Sequence, residues 1–444
     1  METNTLTPSA EGAKPIVLTM SWEEGTGLTI PWDHVETPFT LEERKEIEES
    51  FKRIQADKTI PKVGHGIGYD LRFLMSTKGF TEMESNRDTK VGYYLAVTQE
   101  AEKSFQLTDL AYEMTDMGGY DKPLEDWKSA FIKEENKKKK EDRRVNEIDG
   151  SNFNYEWIPL EILHPYAAGD ADVCLRIHNQ LHEILKQSKD WVFLFEEFYP
   201  ALRQSLSRIE ATGINVDTEY LDMIDTKYEE EEARISEELR EFPPIRELES
   251  QYQEMYTMGL QEMAKPVKER DPEILKLRKY KDKLSFNPNS AQDKGIVLYD
   301  ILGIQLPKTK ITVKEASMNK SDNELTWEDY KTDKHTLNYI SENMPEFKDL
   351  TDKLLEHSGV KTLRNSFTKK LPRLVSSKTG KLHTTYNDTG TSTSRLSSKD
   401  PNFQQMPSGS HNVHKLDYKY PVKRAFVTSF EGGAIIQLDY SALN

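Results

Sequence analysis

The first part of the chain alternates between two apolar periods. Residues 15–32 contain two β-type apolar runs around a glycine-containing turn, which predicts a hairpin. Apolar positions over 41–57 recur at helical spacing instead. A short strand at 60–64 then leads through a glycine-rich turn into a helix over 71–75. Strands interleaved with helices predict an α/β domain that extends to about residue 190.

After this domain the pattern changes to long amphipathic helices. Apolar side chains over 195–210 share one helical face, and Gly213 follows as the expected end of that helix. Asp217 is the expected N-cap of the next helix. A turn and N-cap at 285–289 open a further helix, whereas 308–333 is polar and predicted to be loop-rich. The middle of the chain is therefore expected to be mostly helical.

Composition excludes several classes of protein. The chain has 444 residues, enough for two or three domains, and 36% of them are hydrophobic. No apolar run approaches the ~18 residues of a membrane span, and the first residues lack the pattern of a signal peptide. The single cysteine, Cys174, excludes an intramolecular disulfide and a cysteine-based zinc site. We expect a cytoplasmic protein without a membrane partner.

The net charge of −16 is unevenly distributed. Between His357 and Asn387 there are seven basic residues and no acidic one: Lys361, Arg364, Lys369, Lys370, Arg373, Lys378 and Lys381. Such an island can neutralise several phosphates in an acidic protein, and DNA contact is favoured over a merely solvated helix face. The acidic run 229–232 is expected to be a solvated helix face. Residues 133–144 lack apolar periodicity and predict an exposed loop or helical excursion.

Three acidic positions and one tyrosine form a pattern in the first domain. Glu2 precedes the hairpin, Asp70 follows a strand and turn, and Asp170 is expected at the start of a helix. Tyr166 lies four residues before Asp170, which places both side chains on one helical face. Each element alone is as typical of a turn or a buried tyrosine. Together they resemble the 3′–5′ proofreading exonuclease of family A DNA polymerases, in the subclass with a catalytic tyrosine, over residues 1–186.

The resemblance implies a specific chemistry for these residues. Glu2, Asp70 and Asp170 would be ligands of two Mg²⁺ or Mn²⁺ ions, and Tyr166 would orient the attacking water. The family usually has asparagine where Gly66 stands. Its first motif is Asp-x-Glu, and the aspartate would fall one position before Met1. We therefore expect the first strand of the domain to be missing and exonuclease activity to be weak or absent.

A second resemblance lies near the end of the chain. The segment 391–407, which begins Thr391-Ser-Thr-Ser-Arg395, and the segment 437–442 resemble two consecutive motifs of family A DNA polymerases. By this resemblance Arg395 reaches the minor groove at the primer terminus, where an arginine fork suits acceptors common to all base pairs. The same resemblance assigns three amide side chains to template and primer: Asn402, Gln404 and Gln405. The bland alternative is a polar loop between strands, and Ser394 replaces the usual glycine.

The last residues would belong to the polymerase metal site. A buried strand over 434–438 is expected to deliver Asp439, which by the resemblance binds both catalytic Mg²⁺ ions, while Tyr440 contributes its backbone carbonyl. Asn444 stands where the family uses glutamate to exclude ribonucleotides. The nucleotide-binding helix motif and the second metal aspartate are not found in the sequence. One carboxylate cannot hold a two-metal site, so we expect no polymerisation by this chain alone.

The resulting hypothesis is an N-terminal fragment of a phage-type family A DNA polymerase of replication or repair. It comprises an RNase H-like α/β exonuclease domain over 1–190 with an insertion at about 133–155, a mostly α-helical thumb over 191–375 and the first strands of a polymerase palm over 376–444. Primer-template DNA and single-stranded 3′ ends are the expected partners, and a dNTP only in the complete enzyme. Two alternatives remain open: a stand-alone exonuclease with a DNA-gripping extension, and a non-catalytic DNA-binding subunit completed by a separate C-terminal half.

Overall fold

The computed structural model describes residues 1–100, 104–138, 147–149, 152–407, 419–436 and 438. It contains two compact units, each made of separate stretches of chain. The first unit consists of Met1–Val216, Leu374–Gln405 and Val427–Asn444, and the second of Asp217–Arg373 and Met406–Phe426.

The first unit is built on short strands. Strands β1 (Glu2–Thr3), β2 (Pro15–Met20) and β3 (Leu28–Ile30) form an antiparallel sheet in that order. The predicted hairpin is confirmed, since β2 pairs with β3 and Leu18 lies opposite Ile30. Strand β4 (Lys62–Gly64) pairs in parallel with β5 (Asn86–Asp88). The carboxyl ends of β4 and β5 lead into the two helices that follow them, as in other parallel α/β units.

The helices of the first unit largely follow the sequence pattern. The predicted helix over 41–57 is α1 (Leu41–Ala56). Thr40 and Glu43 form a reciprocal capping box at its N-terminus. The others are α2 (Gly68–Lys78), α3 (Thr89–Ala96), α4 (Leu107–Met114), α5 (Lys122–Glu135), α6 (Leu160–Leu185), α7 (Lys189–Phe193) and α8 (Tyr199–Thr212). Gly213 ends α8 with φ +64°, as expected of a glycine at that position.

Helix α6 corrects one prediction. Asp170 lies in the middle of this helix rather than at its start, because the helix begins at Leu160 and runs through Pro165. A stripe of buried side chains explains the continuity: Leu163, Ala167, Val173, Ile177 and Leu181 are all fully buried. The packing free energy of this stripe outweighs the cost of one proline within the helix.

Part of the predicted insertion contributes to the core. Ile148 and Phe153 are buried against Leu124 of α5, Leu163 of α6 and Val17 of β2. Residues 139–146 and 150–151 lie outside the described residues. The insertion is therefore anchored to the first unit at least at its C-terminal side.

Three strands from late in the chain, β7 (Lys381–Leu382), β8 (Thr385–Asn387) and β9 (Ser397–Lys399), belong to the first unit. Strand β7 pairs antiparallel with the earlier strand β6 (Ile214–Val216), and β8 pairs antiparallel with β9. The boundaries predicted at 190 and 375 therefore separate, along the chain, residues that belong to the same compact unit.

The second unit is almost entirely helical. Its helices are α9 (Thr218–Arg240), α10 (Pro243–Ala264), α11 (Pro272–Leu275), α12 (Ala291–Gly295), α13 (Lys334–Asn343) and α14 (Lys348–Leu363), and the short α15 (Leu371–Leu374) lies at its boundary. Asp217 caps α9 by accepting from the backbone N–H of Tyr220 at 2.8 Å, as predicted. Ser290 caps α12 just after the predicted turn, and 308–333 is loop-rich with short turns, as expected.

Shorter helical turns complete the chain. Single π-type turns extend three helices at Leu194–Phe198, Ile296–Ile301 and Arg364–Thr368. The 3₁₀ turns are Tyr155–Trp157, Val267–Glu269, Lys276–Lys283, Glu315–Ser317, Asp322–Glu324, Pro345–Phe347, Phe403–Gln405 and Val422–Ala425. The last strand, β10, is Phe426–Val427.

The buried strand expected over 434–438 is wrong for the residues that the structure describes. Residues 434–436 have no regular structure, and Ile436 and Leu438 are 79% and 90% exposed. A strand needs a neighbour for its backbone hydrogen bonds, and no described residue pairs with this segment. Among the described helices, none has the length and apolarity that crossing a membrane requires.

Candidate active site

Three elements of the first unit carry the predicted acidic residues. Glu2 lies on β1, where its pairing opposite Val17 of β2 fixes its position. Asp70 lies in the first turn of α2, and Asp170 lies in the middle of α6, which packs against β2. The backbone nitrogen of Met1 lies 3.6 Å from Asp70 Oδ1. The fold therefore brings β1, α2 and α6 together around these carboxylates.

Burial and neighbouring negative charge raise the pKa values of Glu2 and Asp170. Burial raises the pKa of Glu2, and the negative charge of Asp170 raises it further, with a smaller contribution from Asp70. Burial also raises the pKa values of Asp170 and Asp70. Carboxylates whose pKa values rise through burial and mutual repulsion are typical of sites that bind a cation or transfer a proton.

A cluster of phenols surrounds Asp170. The Tyr120 hydroxyl donates a hydrogen bond to Asp170 Oδ1, and Tyr166 lies one helical turn before Asp170 on α6. The rings of Tyr120 and Tyr166 stack with centroids 6.2 Å apart. Burial, together with the charges of Glu2 and Asp170, raises the pKa of Tyr166 well above its ordinary value. Tyr166 therefore stays protonated near neutral pH and acts as a hydrogen-bond group rather than a base.

Tyr120 is a site residue that sequence reasoning missed. A Cβ on Gly169 would lie 2.7 Å from Tyr120 Cδ2, so only a glycine lets the ring pass α6 at this level. A glycine in the interior of a helix, directly before an acidic residue, was the signal that another group approaches closely there. The sequence Gly118-Gly119-Tyr120 supplies that group from a tight turn.

Asp88 organises the turn before Asp70. Its carboxylate accepts from the backbone N–H groups of Gly66 at 2.8 Å and Ile67 at 2.9 Å, and it also caps α3 through the N–H of Lys90. Gly66 adopts φ +62°, a conformation that glycine tolerates well. The position where the exonuclease family usually has asparagine therefore contributes a backbone hydrogen bond in this chain.

The donor set can be compared with the needs of a divalent cation. Oxygen ligands from carboxylates suit Mg²⁺ and Mn²⁺, and the repulsion between Glu2 and Asp170 would be relieved by a bound cation. Within the described ranges, no set of three or more Asp, Glu, His or Cys side chains is gathered closely enough to hold a metal ion. The carboxylate oxygens are therefore suitable ligands for Mg²⁺ or Mn²⁺, and Glu2 and Asp170 are the best supported pair of such ligands.

A charged cavity of about 550 Å³ borders the turn before α2 in the first unit, since Gly66 and Asp88 line it. Glu210, which is 2% exposed, accepts from Arg203 Nη2 at 2.7 Å and from the backbone N–H of Tyr386 at 2.7 Å. Arg203 also donates to the Tyr386 carbonyl at 3.1 Å and lies 3.6 Å from Asp388. These bonds join α8 to β8 and to the residues after it.

The loop that carries Arg395 is exposed on the first unit. Thr391 Oγ1 donates to the Arg395 carbonyl at 2.8 Å, and the Arg395 side chain faces solvent. Asn402 accepts from Ser398 Oγ at 3.0 Å, and Gln404 Nε2 donates to the Leu396 carbonyl at 2.8 Å. Gln405 is exposed beside them. Three predicted site residues, Asp439, Tyr440 and Asn444, lie outside the described residues.

In the second unit, two of the predicted DNA-binding cations contact the acidic run. Arg364 is buried and donates to Glu232 at 2.6 Å, to Glu229 at 2.7 Å and to Asp225 at 3.3 Å. Lys361 donates to Glu232 at 3.0 Å. The acidic run is thus only partly the solvated face that we expected, since Glu232 is half-buried in this network. Lys369 and Lys370 lie one helical turn further on.

Comparison with known proteins decides the family. The model of the 3′–5′ exonuclease family matches residues 1–186, and the model of DNA polymerase family A matches residues 253–444. The chain belongs to DNA polymerase family A. Its first domain is a 3′–5′ exonuclease domain, and the predicted order of an exonuclease domain followed by a polymerase domain is confirmed.

Relatives of this family A polymerase chain come from phages and bacteria. The DNA polymerase of Bacillus phage SP01 is 27% identical over 98% of this chain and 44% of its own length. The DNA polymerase of Escherichia phage T5 is 26% identical over 78% of this chain and 34% of its own length. A thermostable DNA polymerase I of Thermus thermophilus is 29% identical over 60% of this chain and 24% of its own length. The chain thus spans less than half the length of each of these relatives.

A solved structure shows the same fold. The POL domain of Pol1 from M. smegmatis, in complex with DNA primer-template and dNTP, matches with a TM-score of 0.59 and 20% identity. The match covers 97% of this chain and 54% of that one. At this identity the likeness establishes the fold of the family A chain.

Proposed function

We propose that the first domain hydrolyses DNA from the 3′ end, and that its site comprises Glu2, Asp70, Asp170 and Tyr166. The observation that carries this proposal is the convergence of Glu2, Asp70 and Asp170 from β1, α2 and α6. The charge of Asp170 raises the pKa of Glu2, and the Tyr120 hydroxyl donates to Asp170. Repelling carboxylates are costly in a folded protein unless a cation or a proton compensates them. The match of residues 1–186 to the exonuclease family supports the cation, and two Mg²⁺ or Mn²⁺ ions are proposed.

Each of these residues has a separate role in the proposed hydrolysis. Glu2, Asp70 and Asp170 would hold the divalent ions, which supply Lewis-acid stabilisation of the phosphoryl group when bound. Tyr120 holds the Asp170 carboxylate, and the protonated Tyr166 orients a water toward the terminal phosphodiester. Water adds its oxygen to phosphorus, the bond to the 3′ oxygen breaks, and that oxygen takes up a proton. The products are a nucleoside monophosphate and a strand one residue shorter.

A direct assay tests this proposal. The purified chain is incubated with Mg²⁺ or Mn²⁺ and a single-stranded oligonucleotide labelled at its 5′ end. We expect slow shortening from the 3′ end, in keeping with the weak activity that the sequence predicts. EDTA should prevent it, and Asp170→Asn should reduce it by about 100-fold or more. Equal ladders from the wild type and Asp170→Asn, or shortening from the other end, would contradict the assignment.

We propose further that the chain grips primer-template DNA. Arg395, Asn402, Gln404 and Gln405 are the proposed minor-groove and backbone contacts, and Lys361, Arg364, Lys369 and Lys370 are proposed phosphate contacts. The match of residues 253–444 to DNA polymerase family A supports these roles. Arg364 has the least support, because carboxylates of its own unit surround it.

The remaining proposals concern the complete enzyme. The proposed domain order is exonuclease over 1–190, thumb over 191–375 and the start of the palm over 376–444. Asp439 and Tyr440 would hold Mg²⁺ in the polymerase site, and residue 444 would act on sugar discrimination. A dNTP and a C-terminal polymerase half are proposed partners, in the cytoplasm of a bacterial or phage-infected cell. Adding the separate polymerase half of a relative tests this, since templated synthesis should require both parts.

A further inference from the structure

One buried tyrosine contacts the loop that presents Arg395. Tyr94 lies on α3 and is 1% exposed. Its hydroxyl donates to the Thr391 carbonyl at 2.8 Å and accepts from the backbone N–H of Ser394 at 3.0 Å. The same oxygen lies 3.1 Å from Ser394 Oγ. A single phenol oxygen therefore makes three contacts with the loop over 391–395.

The loop has a conformation that requires such support. Ser394 has φ +56°, in the left-handed region that residues other than glycine seldom adopt. Such a residue persists where its surroundings hold it in place. The side chains over 392–395 are exposed, so they contribute little packing of their own. The bonds of Tyr94 supply that support from within the unit.

The same helix also supports the turn that leads to Asp70. Helix α3 begins at Asp88, whose carboxylate holds the N–H groups of Gly66 and Ile67 directly before α2. The end of α3 holds the Arg395 loop through Tyr94. One short helix thus joins the exonuclease site to the proposed DNA-gripping loop by direct hydrogen bonds.

We infer that Tyr94 is a positioning residue for Arg395, and that its hydroxyl fixes the loop in the conformation that presents the guanidinium to DNA. This inference rests on the proposed DNA contact of Arg395. Helix α3 thereby takes part in DNA binding through the loop that it holds. The Tyr94 ring is buried, so its hydroxyl acts on DNA through the loop alone.

The neighbouring tyrosine provides a matched control. Tyr93 lies on the same helix and is fully buried, and its hydroxyl donates to Glu113 at 2.7 Å, away from the loop. Tyr94→Phe and Tyr93→Phe each remove one buried hydroxyl and keep the ring. A general loss of stability would therefore appear in both variants, whereas an effect on the loop should appear only in Tyr94→Phe.

The first measurement tests positioning without DNA. Hydrogen exchange followed by mass spectrometry should show amide exchange over 391–395 about fivefold or more faster in Tyr94→Phe, because the Ser394 N–H loses its acceptor. Tyr93→Phe should leave this peptide unchanged. Equal exchange over 391–395 in the wild type and Tyr94→Phe would overturn the inference.

The second measurement is a double-mutant cycle on primer-template affinity, by fluorescence anisotropy at fixed salt. We expect about tenfold weaker binding for Arg395→Ala, about fivefold for Tyr94→Phe, and no further loss when the two are combined. If Arg395→Ala binds like the wild type, the proposed DNA contact fails. If Arg395→Ala weakens binding but the two losses multiply, the contact stands and the positioning role of Tyr94 is overturned.

Discussion

At the level of single residues, the missing Cβ at position 169 decides where Tyr120 can lie. Gly169→Ala would place a Cβ 2.7 Å from the Tyr120 ring and displace its hydroxyl from Asp170. A hydrogen bond to a charged acceptor is worth about 1.5–3 kcal/mol. We therefore expect the proposed exonuclease rate to fall about tenfold, measured as the initial rate on a single-stranded oligonucleotide.

The expected loss of rate in Gly169→Ala can be distinguished from a loss of helix stability. Alanine favours a helix over glycine by about 1 kcal/mol, so Gly169→Ala should not unfold α6. Tyr120→Phe removes the same hydrogen bond and leaves the backbone unchanged, and it should reproduce the loss. A Tyr120→Phe enzyme with the wild-type rate would show that this bond has no part in hydrolysis.

A second prediction at this scale concerns divalent metal. Because Glu2 and Asp170 repel each other, replacing one charge should raise the metal-free stability of the first unit, while it removes the stabilisation that Mg²⁺ gives. Asp170→Asn should raise the midpoint of thermal unfolding in EDTA by a few degrees, about 1 kcal/mol after screening. Mg²⁺ at millimolar concentration should raise the midpoint of the wild type only. A Mg²⁺ effect of equal size in both proteins would place the ion elsewhere.

At the level of elements, Arg364 joins the turn after α14 to α9. Its guanidinium is 6% exposed and contacts three carboxylates of α9, at positions 225, 229 and 232. Removing one partner of a buried ion pair leaves the others uncompensated. Arg364→Ala should therefore lower the free energy of unfolding of the second unit by about 3 kcal/mol, measured by urea denaturation.

Arg234 is the control for this prediction. It pairs with Glu231 and Glu238 on the same helix, but its side chain is 47% exposed. Exposed pairs contribute little, so Arg234→Ala should cost less than about 1 kcal/mol. Equal losses for the two variants would mean that burial does not strengthen the Arg364 contacts.

The pH dependence of the Arg364 contacts has a defined sign. Burial would raise the pKa values of Asp225 and Glu232, but their bonds to Arg364 outweigh it and lower both. A carboxylate with a lowered pKa in the folded state contributes stability above its unfolded pKa and loses it as the pH falls. The difference in stability between the wild type and Arg364→Ala should be complete at pH 7 and shrink below about pH 4.5. A difference that grows on acidification would contradict this account.

The basic island itself can be tested on DNA. Lys369→Ala combined with Lys370→Ala should reduce the slope of log affinity against log salt by about 2, if both lysines contact phosphates. The loss of stability should be smaller than for Arg364→Ala, since Arg364 donates hydrogen bonds directly to three carboxylates of α9. An unchanged salt slope would leave the island as a solvated surface.

Sequence patterns predicted elements well where the signal is local. The hairpin, α1 with its cap, the Gly213 end and the Asp217 cap all follow from a few neighbouring residues. The prediction that a helix starts at Asp170 was wrong, because α6 begins at Leu160 and its long-range packing outweighs the cost of Pro165. No local pattern contains the free energy of such packing. In the site, spacing predicted that Tyr166 and Asp170 share a face. Tyr120 comes from fifty residues earlier in the chain, and only the glycine beside Asp170 indicated it.

At the level of the whole molecule, chain order and compact units differ. The predicted boundary at 190 follows a change of hydrophobic pattern and the one at 375 follows the family resemblance, whereas the first unit also takes in Leu374–Gln405. The structural reason is a set of buried polar contacts between distant parts of the sequence. Glu210 of α8 accepts from Tyr386 of β8, and Arg72 of α2 donates to Thr385. A change of composition cannot reveal such pairs, because each partner alone is an ordinary charged or polar residue.

The last prediction tests this assignment through Glu210. Its carboxylate, 1% exposed, lies 2.7 Å from Arg203 and 3.8 Å from Arg72. Glu210→Ala should leave both guanidinium groups uncompensated and lower the stability of the first unit by about 3–5 kcal/mol. Hydrogen exchange should then rise together in peptides of α2, α8 and β8, because one cooperative unit contains all three.

The exposed pair of Glu183 and Lys186 provides the comparison, since Glu183 is 70% exposed. Glu183→Ala should change stability by less than about 0.5 kcal/mol and leave exchange in β8 unchanged. If Glu210→Ala accelerates exchange in α8 but not in β8, residues 374–405 are not part of the first cooperative unit. The units would then follow the order of the chain, and the boundary near residue 375 that the family resemblance predicts would be the energetic one.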